Sequence, residues 1–273
     1  MEDKMAKISM GLPAEKDNST IQFTLLITAC IQPPVENLKA VFRSDAQIRL
    51  NDYITALRFW LGYREEKITN IIFIENSGYD LKELKQIAGN ENKFNRTIEF
   101  IQFIASPIPT GLHYGYAELE ILDTAFTLSK TIGQTDFFIK VTGRLYFPTL
   151  SKLLKKVSIK NRILIDFKDF KFFNIQKHYA VTTLIIIRND FYRDILFGAK
   201  TKMEPVNGNH FETCYYNILK PLSGNKDIIT RFPFNVNPVG YGAHLDVNYG
   251  SFNKRFANVV RKILRIVYPK FKI

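Results

Sequence analysis

The sequence predicts an α/β fold: a mostly parallel, Rossmann-like central sheet flanked by helices. Six short apolar runs rich in β-branched residues recur along the chain, and helix-like segments separate the early ones. Most of the runs are continuous rather than alternating, as in strands that are covered on both faces. Strand and helix in alternation are typical of βαβ units. The runs occupy residues 23–31, 70–75, 98–104, 137–141, 162–167 and 182–188.

The rest of the chain fits one domain with two unlike ends. Residues 45–63, 79–89 and 116–132 show helical spacing of apolar side chains. We predict a disordered N-terminus over 1–20, a catalytic domain over 21–250 and a basic amphipathic helix over 251–273. Within the domain, residues 200–250 are rich in Asn, Gly, Pro and Tyr, and we predict that they are irregular.

Composition indicates an anionic partner. The chain has 273 residues, 46% of them hydrophobic, and a formal net charge of +12. Such an excess of cations suits nucleic acid, a membrane surface or a phosphorylated substrate. Two distant cysteines, no apolar leader and no apolar run of spanning length predict a cytoplasmic protein. The part of the tail from 254 to 272 carries seven of the cations and no acid.

Polar residues follow several predicted strands. In an open parallel sheet, ligands bind outside the carboxyl ends of the strands. The second strand ends in Glu75, Asn76 and Ser77, and the fourth in "KVTGR". Each stretch alone is better explained by a turn, but their recurrence at one edge makes ligand binding an equally good explanation.

The stretch "KVTGR" is a candidate diphosphate site. Lys140 and Arg144 suit phosphate oxygens, while Thr142 offers a hydroxyl and Gly143 permits close approach of the backbone. The alternative is structural: the lysine reaches outward, and the arginine pairs with an acid. A lysine within an apolar strand is costly unless it is paired.

Three carboxylates are candidates for chemistry. Glu118 lies near a helix start, where it could bind a sugar hydroxyl or pair with Arg144; a solvated first turn explains it equally well. Glu212 stands among aromatic residues and could act as a general base, although a helix-start glutamate is the simpler interpretation. Asp166 is a second candidate base.

Several common motifs are missing from the sequence. There is no GxGxxG after the first strand, no phosphate-binding GxxxxGK[ST] and no GxSxG elbow. Asp166 and Asp169 have DxxD spacing rather than the DxD that would chelate a metal diphosphate. We therefore expect no metal and no cofactor.

The motifs "ACIQP", "RLNDYITAL", "FIENSGYDL", "YGYAELEIL" and "FFIKVTGRLYF" resemble bacterial glycosyltransferases of capsule and O-antigen (lipopolysaccharide) synthesis. The likeness covers about residues 22–150 and is to small GT-A-like enzymes, galactofuranosyltransferases among them. Leu112, His113 and Ala117 depart from the family's pattern, whereas Tyr116 and Glu118 match it.

The resemblance implies a GT-A-like fold, a UDP-linked sugar donor and a saccharide or lipid-linked saccharide acceptor. The expected reaction is an inverting single displacement with Glu212, or else Asp166, as base. Lys140 and Arg144, with His244 or Arg231, would stabilise the leaving diphosphate in place of a metal. The implied donor-binding residues are Glu75, Asn76, Ser77, Tyr116, Glu118, Lys140, Thr142, Gly143, Arg144 and His244.

The C-terminal segment and the net charge leave alternatives open. The apolar stripe of the predicted C-terminal helix could place the protein on the inner face of an anionic membrane, or the helix could dock on the core. A basic nucleic-acid-binding or nucleotide-modifying protein is the main rival to the glycosyltransferase, and a non-catalytic partner in envelope assembly is another.

Overall fold

The computed structural model describes residues 18–34, 43–172, 175–206 and 210–242, together with Tyr249, Arg261, Leu264, Arg265 and Val267. The strands are β1 Phe23–Ala29, β2 Ile68–Glu75, β3 Thr97–Gln102, β4 Phe137–Thr142, β5 Leu145–Tyr146, β6 Ile163–Phe172, β7 Ile175–Arg188, β8 Ile228–Ile229 and β9 Val239–Gly240. The helices are α1 Ala46–Gly62, α2 Lys82–Glu91, α3 Gly115–Leu128, α4 Leu150–Leu154, α5 Asn189–Phe191 and α6 Phe211–Leu219.

The central sheet confirms the predicted fold class. Its seven strands have the order β3-β2-β1-β4-β7-β6-β8, and β5 pairs with β9 in a separate ribbon. Strands β1 to β4 run parallel to one another, while β7 is antiparallel to both of its neighbours. Each of the six apolar runs forms a strand, and the three helix-like segments form α1, α2 and α3.

Two apolar cores cover the two faces of the sheet, which explains why the strand sequences do not alternate. Side chains from alternate strand positions, such as Leu25 and Ile27, pack with α1 and α2 around Trp60. Their neighbours, such as Leu26 and Phe138, pack with α3 and α6 around Tyr215. Asp45 caps α1 by accepting a hydrogen bond of 2.8 Å from the backbone N–H of Ile48.

Two features differ from the sequence prediction. Residues 211–219, within the stretch predicted to be irregular, form helix α6 and contribute Phe211, Tyr215 and Leu219 to the core. The last two long strands, β6 and β7, form an antiparallel hairpin rather than a further βαβ unit. Both features arise from tertiary contacts. In the case of β7, an apolar run of this length fits a parallel strand and an antiparallel strand equally well.

The C-terminal segment is described at four residues, all helical: Arg261, Leu264, Arg265 and Val267. Arg265 is 8% exposed, whereas Val267 is 59% exposed. The Arg265 guanidinium is bound to Asp166 in the protein interior, so this arginine is not part of a solvated basic face.

Candidate functional site

A cavity of about 750 Å³ opens at the carboxyl edge of the parallel strands. Residues after β1, β2 and β4 line it, as expected for an open α/β sheet. Helices α1, α3 and α6 close its sides, and Tyr249 and Gly242 also contact it. The polar lining residues are Thr28, Gln32, Arg49, Tyr53, Asn76, Ser77, Ser106, Tyr114, Glu118, Thr142, Arg144, Thr182, Thr183, Glu212 and Tyr249.

A bulge in β7 brings two threonines to this edge. Leu164 of β6 pairs with Ile186 of β7, but Asp166 pairs with Val181, so β7 contains extra residues between these two points. Thr182 and Thr183 lie in that stretch, and both line the cavity. Bulges redirect side chains and are frequent beside active sites.

One wall of the cavity is acidic, and a buried lysine organises it. The Lys140 side chain has no exposed surface, and its Nζ donates to Glu118 Oε1 at 2.5 Å and to the Thr182 carbonyl at 2.6 Å. Thr142 Oγ1 accepts a third hydrogen bond at 3.2 Å. Lys140 therefore holds Glu118 in place and does not itself reach the cavity.

Glu212 is the second carboxylate of this wall. It lies in the first turn of α6, and its Oε1 accepts a hydrogen bond of 3.1 Å from the Thr182 hydroxyl. No Lys, Arg or His in the described ranges forms an ion pair with it. The α6 start abuts the α3 start, because a Cβ on Gly115 would lie 2.6 Å from the backbone nitrogen of Phe211.

Tyr114 connects the two glutamates electrostatically. Burial is the main cause that raises the pKa of its hydroxyl, and the negative charges of Glu212 and then Glu118 raise it further. Tyr114 therefore stays protonated and can donate a hydrogen bond into the cavity.

The opposite wall is cationic. Arg144 is 4% exposed, and its Nε and Nη1 have no hydrogen-bond partner among the described residues. Asp52 Oδ2 lies 3.9 Å from Nη1, beyond hydrogen-bond distance. Burial lowers the pKa of Arg144 from its ordinary value, although a guanidinium stays charged at neutral pH. A second guanidinium, that of Arg49, donates to the Cys30 carbonyl and, at 3.1 Å, to the Arg43 carbonyl.

Glycines hold the Arg144 loop in place. The Gly143 N–H donates to the Thr28 carbonyl at 2.9 Å, and a Cβ at this position would lie 2.4 Å from that oxygen. Gly240 has φ of +115°, and a Cβ there would lie 2.2 Å from the Arg144 carbonyl oxygen. The close approach predicted at Gly143 is thus to the protein's own β1.

Of the three residues predicted at the end of β2, one supports the surrounding loops and two line the cavity. Glu75 is fully buried and accepts hydrogen bonds from the backbone N–H groups of Ile31, at 2.9 Å, and Tyr79, at 3.0 Å. It orders the loops after β1 and β2 and does not line the cavity. Asn76 and Ser77 do line it, and the Asn76 Oδ1 is buried without a hydrogen-bond partner in the described part of the chain.

Six of the predicted site residues converge on the cavity: Asn76, Ser77, Glu118, Thr142, Arg144 and Glu212. Lys140, Gly143 and Glu75 support it from behind. Tyr116 points elsewhere, with the Lys200 ammonium 5.5 Å from its ring centroid. Glu118 pairs with Lys140, not with Arg144. His244 lies outside the described residues.

Asp166 is placed where it cannot act as the base. Its carboxylate accepts two hydrogen bonds from Arg265, at 2.7 and 3.0 Å, and one from the Phe232 N–H at 3.0 Å. It is 7% exposed and does not line the cavity. The sequence around Asp166 gave no sign of this partner, because Arg265 is 99 residues away along the chain.

Sequence reasoning missed several lining residues, among them Thr28, Arg49, Tyr53, Tyr114 and Thr182. Arg49 and Tyr53 lie on the inward face of α1 and had been assigned to a helix that packs on the core. A polar residue on an apolar helical face was the available signal, because a buried guanidinium needs partners.

The described ranges contain neither a cluster of possible metal ligands nor a helix that could span a membrane. No three His, Cys, Asp or Glu side chains come together there as a possible metal site. No helix in the same ranges is both long and apolar enough to span a bilayer. Cys30 and Cys214 are free thiols.

No protein-family model matches the chain, and no curated protein matches it either. Solved structures with a similar fold include a cytidylyltransferase from Leptospira borgpetersenii, with 11% identity, a TM-score of 0.40 and coverage of 77% of this chain and 75% of that one. A glycosyltransferase involved in glycosylation of the PBCV-1 major capsid has 12% identity, a TM-score of 0.40 and coverage of 78% and 82%.

A third similar structure is the mannosyltransferase Ktr4p from S. cerevisiae in complex with GDP. It has 10% identity, a TM-score of 0.41 and coverage of 74% of this chain and 67% of that one. These neighbours are nucleotidyl- and glycosyltransferases. At such identities and TM-scores the likeness assigns no reaction to this chain, so function has to be inferred from the site.

Proposed function

We propose that the protein is a glycosyltransferase that moves a sugar from a UDP-linked donor to a saccharide acceptor in surface polysaccharide synthesis. The observation that carries the proposal is the pairing of two walls across one cavity. One wall contains Arg144, a buried guanidinium whose Nε and Nη1 have no hydrogen-bond partner among the described residues. The other contains Glu212, a carboxylate that forms no ion pair within the same ranges.

Arg144 is suited to the diphosphate of the donor. A buried guanidinium with unmade hydrogen bonds is costly, and phosphate oxygens match its donors in geometry and charge. Its position after β4 lies at the edge where open α/β sheets bind ligands. The charge that builds up on the departing diphosphate would strengthen these hydrogen bonds in the transition state, which is the condition for catalysis.

Glu212 is suited to act as the general base. The acceptor O–H loses its proton to the Glu212 carboxylate as its oxygen forms a bond to the anomeric carbon. The bond from that carbon to the diphosphate breaks, and the leaving nucleotide takes the electron pair. One displacement of this kind inverts the anomeric centre. Glu118, which accepts a hydrogen bond from the Lys140 ammonium, would bind a sugar hydroxyl rather than remove its proton.

We propose a metal-independent reaction, because Arg144 offers the positive charge that a divalent ion would otherwise supply. The test is turnover of UDP-sugars in the presence of EDTA and after addition of Mg²⁺ or Mn²⁺. Equal rates within about twofold are expected. A rate that depends on the metal would contradict this part of the proposal.

The decisive experiment combines two variants with a donor panel. Arg144→Gln should lower kcat/KM for sugar transfer by about 10²-fold to 10³-fold, as for loss of one charge-stabilising donor. Glu212→Gln should lower kcat by about 10²-fold to 10⁴-fold with nucleotide binding retained. The exposed residues Arg64 and Glu204 provide matched controls, Arg64→Gln and Glu204→Gln.

The products identify the reaction class. Release of a nucleoside diphosphate from a nucleotide-sugar supports sugar transfer. Release of pyrophosphate from a nucleoside triphosphate and a sugar phosphate would replace it with nucleotidyl transfer. Binding to DNA or RNA with a steep salt dependence, and no turnover of either substrate, would favour the nucleic-acid alternative.

We also propose peripheral membrane contact through residues 254–272, on the basis of their charge. Arg265 cannot take part, because it is bound to Asp166. Lys270→Glu with Lys272→Glu should weaken sedimentation with anionic vesicles and leave sugar transfer to a soluble acceptor unchanged. Unaltered vesicle binding would remove this part of the proposal.

A further inference from the structure

A second group of cations lies on the β6–β7 hairpin, outside the cavity lining. Asp166 faces Val181 and Lys168 faces Tyr179 in a regular antiparallel register, so these four side chains share one face of the sheet. The opposite face, with Phe167 and Ala180, belongs to the core under α6. The cation group consists of Lys168, Arg231, Arg261 and Arg265.

Within this group one carboxylate meets four cations. The Asp166 carboxylate already accepts hydrogen bonds of 2.7 and 3.0 Å from Arg265. Arg231 Nη2 donates to the Arg265 carbonyl at 2.9 Å, which brings a further guanidinium to the same place. The positive charges of Arg261, Arg265 and Arg231 all act on Lys168, and the negative charge of Asp166 opposes them.

Lys168 is the unusual member. It is 7% exposed, yet no hydrogen bond or ion pair joins its ammonium group to a residue in the described part of the chain. A largely buried lysine side chain among like charges is costly, and proteins normally pair such a group. The other buried lysine, Lys140, shows the usual solution, with Glu118 Oε1 at 2.5 Å.

The cation group lies close to the cavity. Arg261 acts electrostatically on Lys168, on Tyr179 and on Tyr249, and Tyr249 lines the cavity. Thr183 also lines the cavity, and it is four residues from Tyr179 along β7. Four residues of extended chain span at most about 14 Å. A ligand of modest size could therefore contact both places.

We infer that Lys168, with Arg231 and Arg261, forms a second anion site that binds a phosphate group. Phosphate supplies the negative charge and the several acceptor oxygens that suit ammonium and guanidinium donors. In the proposed function, the donor diphosphate binds at Arg144. A phosphate at Lys168 would then belong to the acceptor substrate, and this assignment rests on the proposed function. The phosphate site itself does not depend on that assignment.

The test is a titration of the full chain with inorganic pyrophosphate by calorimetry. The wild type should bind at two sites. Lys168→Met, which keeps the side-chain volume and removes the charge, should weaken one of them about 10-fold to 100-fold, since a charged hydrogen bond is lost. Arg144→Gln should weaken the other, and the double variant should lose both. The exposed residue Lys152 provides the control Lys152→Met.

A second readout guards against misfolding. If Lys168 lacks a counter-charge, Lys168→Met should raise Tm in phosphate-free buffer and abolish the part of the Tm increase that pyrophosphate gives through this site. Unchanged pyrophosphate affinity and stoichiometry in Lys168→Met would overturn the inference. So would a variant that folds with a lower Tm, because it would mean that Lys168 is paired in the free protein.

Two arms distinguish the source of the phosphate. Binding of the wild type to phosphatidylglycerol vesicles but not to phosphatidylcholine vesicles, with the binding lost in Lys168→Met, would mean that the site takes a lipid phosphate. If vesicle binding is unchanged while pyrophosphate binding is lost, it takes a soluble phosphorylated ligand. Loss at Lys168 with no effect of Arg144→Gln on nucleotide binding would support this site while contradicting the proposed function.

Discussion

Two buried lysines lie in strands of the described part of this protein, and their surroundings are opposite in sign. Lys140 on β4 has no exposed surface and is bound by Glu118, the Thr182 carbonyl and Thr142. Lys168 on β6 is 7% exposed and is surrounded by three arginines, with the nearby Asp166 already bound to one of them. Burial alone therefore does not mark a ligand site; the mark is a buried charge that the protein leaves without a partner.

The difference separates support from binding. Lys140 joins three elements, since its ammonium pairs with α3, bonds to β7 and lies 5.2 Å from the centre of the Phe211 ring at the start of α6. Through them it fixes both glutamates of the acidic wall. In the described ranges Lys168 forms no hydrogen bond or ion pair that would join elements in this way. On the inference above, a bound anion offsets the free-energy cost of its charge. The predictions that follow test this contrast.

The largest effect is expected from Lys140→Met. Glu118 would lose its cation while a fifth of its side chain remains exposed, and broken buried ion pairs cost about 3–5 kcal/mol. We expect a loss of about 3 kcal/mol in the free energy of unfolding, measured with urea. Adding Glu118→Gln should recover part of it. A loss below about 1 kcal/mol would show that Lys140 is not the hub described above.

Asp166→Asn should have the next largest effect. It removes the one carboxylate beside the cation group and leaves the guanidinium of Arg265 buried with weaker acceptors. We expect about 2 kcal/mol less stability, because an amide keeps some of the hydrogen bonds. Pyrophosphate should restore more Tm in this variant than in the wild type. Equal responses to pyrophosphate would argue against an uncompensated group at Lys168.

Thr182→Val tests the link from the acidic wall to the chemistry. The change removes the hydroxyl that donates to Glu212 at 3.1 Å but keeps the shape of the side chain and the backbone carbonyl that binds Lys140. We expect kcat for sugar transfer to fall about 10-fold, the equivalent of one hydrogen bond to a charged group, with little change in KM. An unaltered kcat would show that Glu212 needs no such positioning.

The smallest effect is a pH dependence of stability that belongs to Lys168. Burial first, and then the charge of Arg261, lower its pKa to about 8 in the folded protein, against about 10.4 in an unfolded chain. Between these values the folded protein has released a proton that the unfolded chain still holds, so stability increases with pH. The Tm advantage of Lys168→Met over the wild type should shrink between pH 8 and pH 10. A constant difference would mean that Lys168 does not titrate in this range.

Much of the fold was predictable, because strands that are buried on both faces of the sheet appear in the sequence as continuous apolar runs. The apolar runs that became β1 to β4, β6 and β7 are continuous since both faces of the sheet are covered. The direction of β7 was not predictable, since it does not depend on a local pattern. For α6 the sequence offered only the interpretation of Glu212 as a helix-start glutamate, within a stretch predicted to be irregular. The bulge that brings Thr182 and Thr183 into the cavity depends on pairing between β6 and β7.

The candidate site was predicted in part for the same reason. Arg144 was chosen for its position after a strand, Glu118 for its position near a helix start and Glu212 for its aromatic neighbours, and all three line the cavity. The suggested pairing of Glu118 with Arg144 was wrong, because Glu118 binds Lys140. The partner of Asp166, which is Arg265, was not predicted. The sequence shows that a charge must be buried, but not which charge meets it.

The amino-acid sequence by itself determined that a two-faced, largely parallel sheet forms and that charged residues cluster at its carboxyl edge. These properties follow from short-range patterns of apolar and polar residues. Tertiary structure decided which of those charges are neutralised and which are left to a ligand, because electrostatic energy depends on distances of a few ångströms between residues remote in the chain.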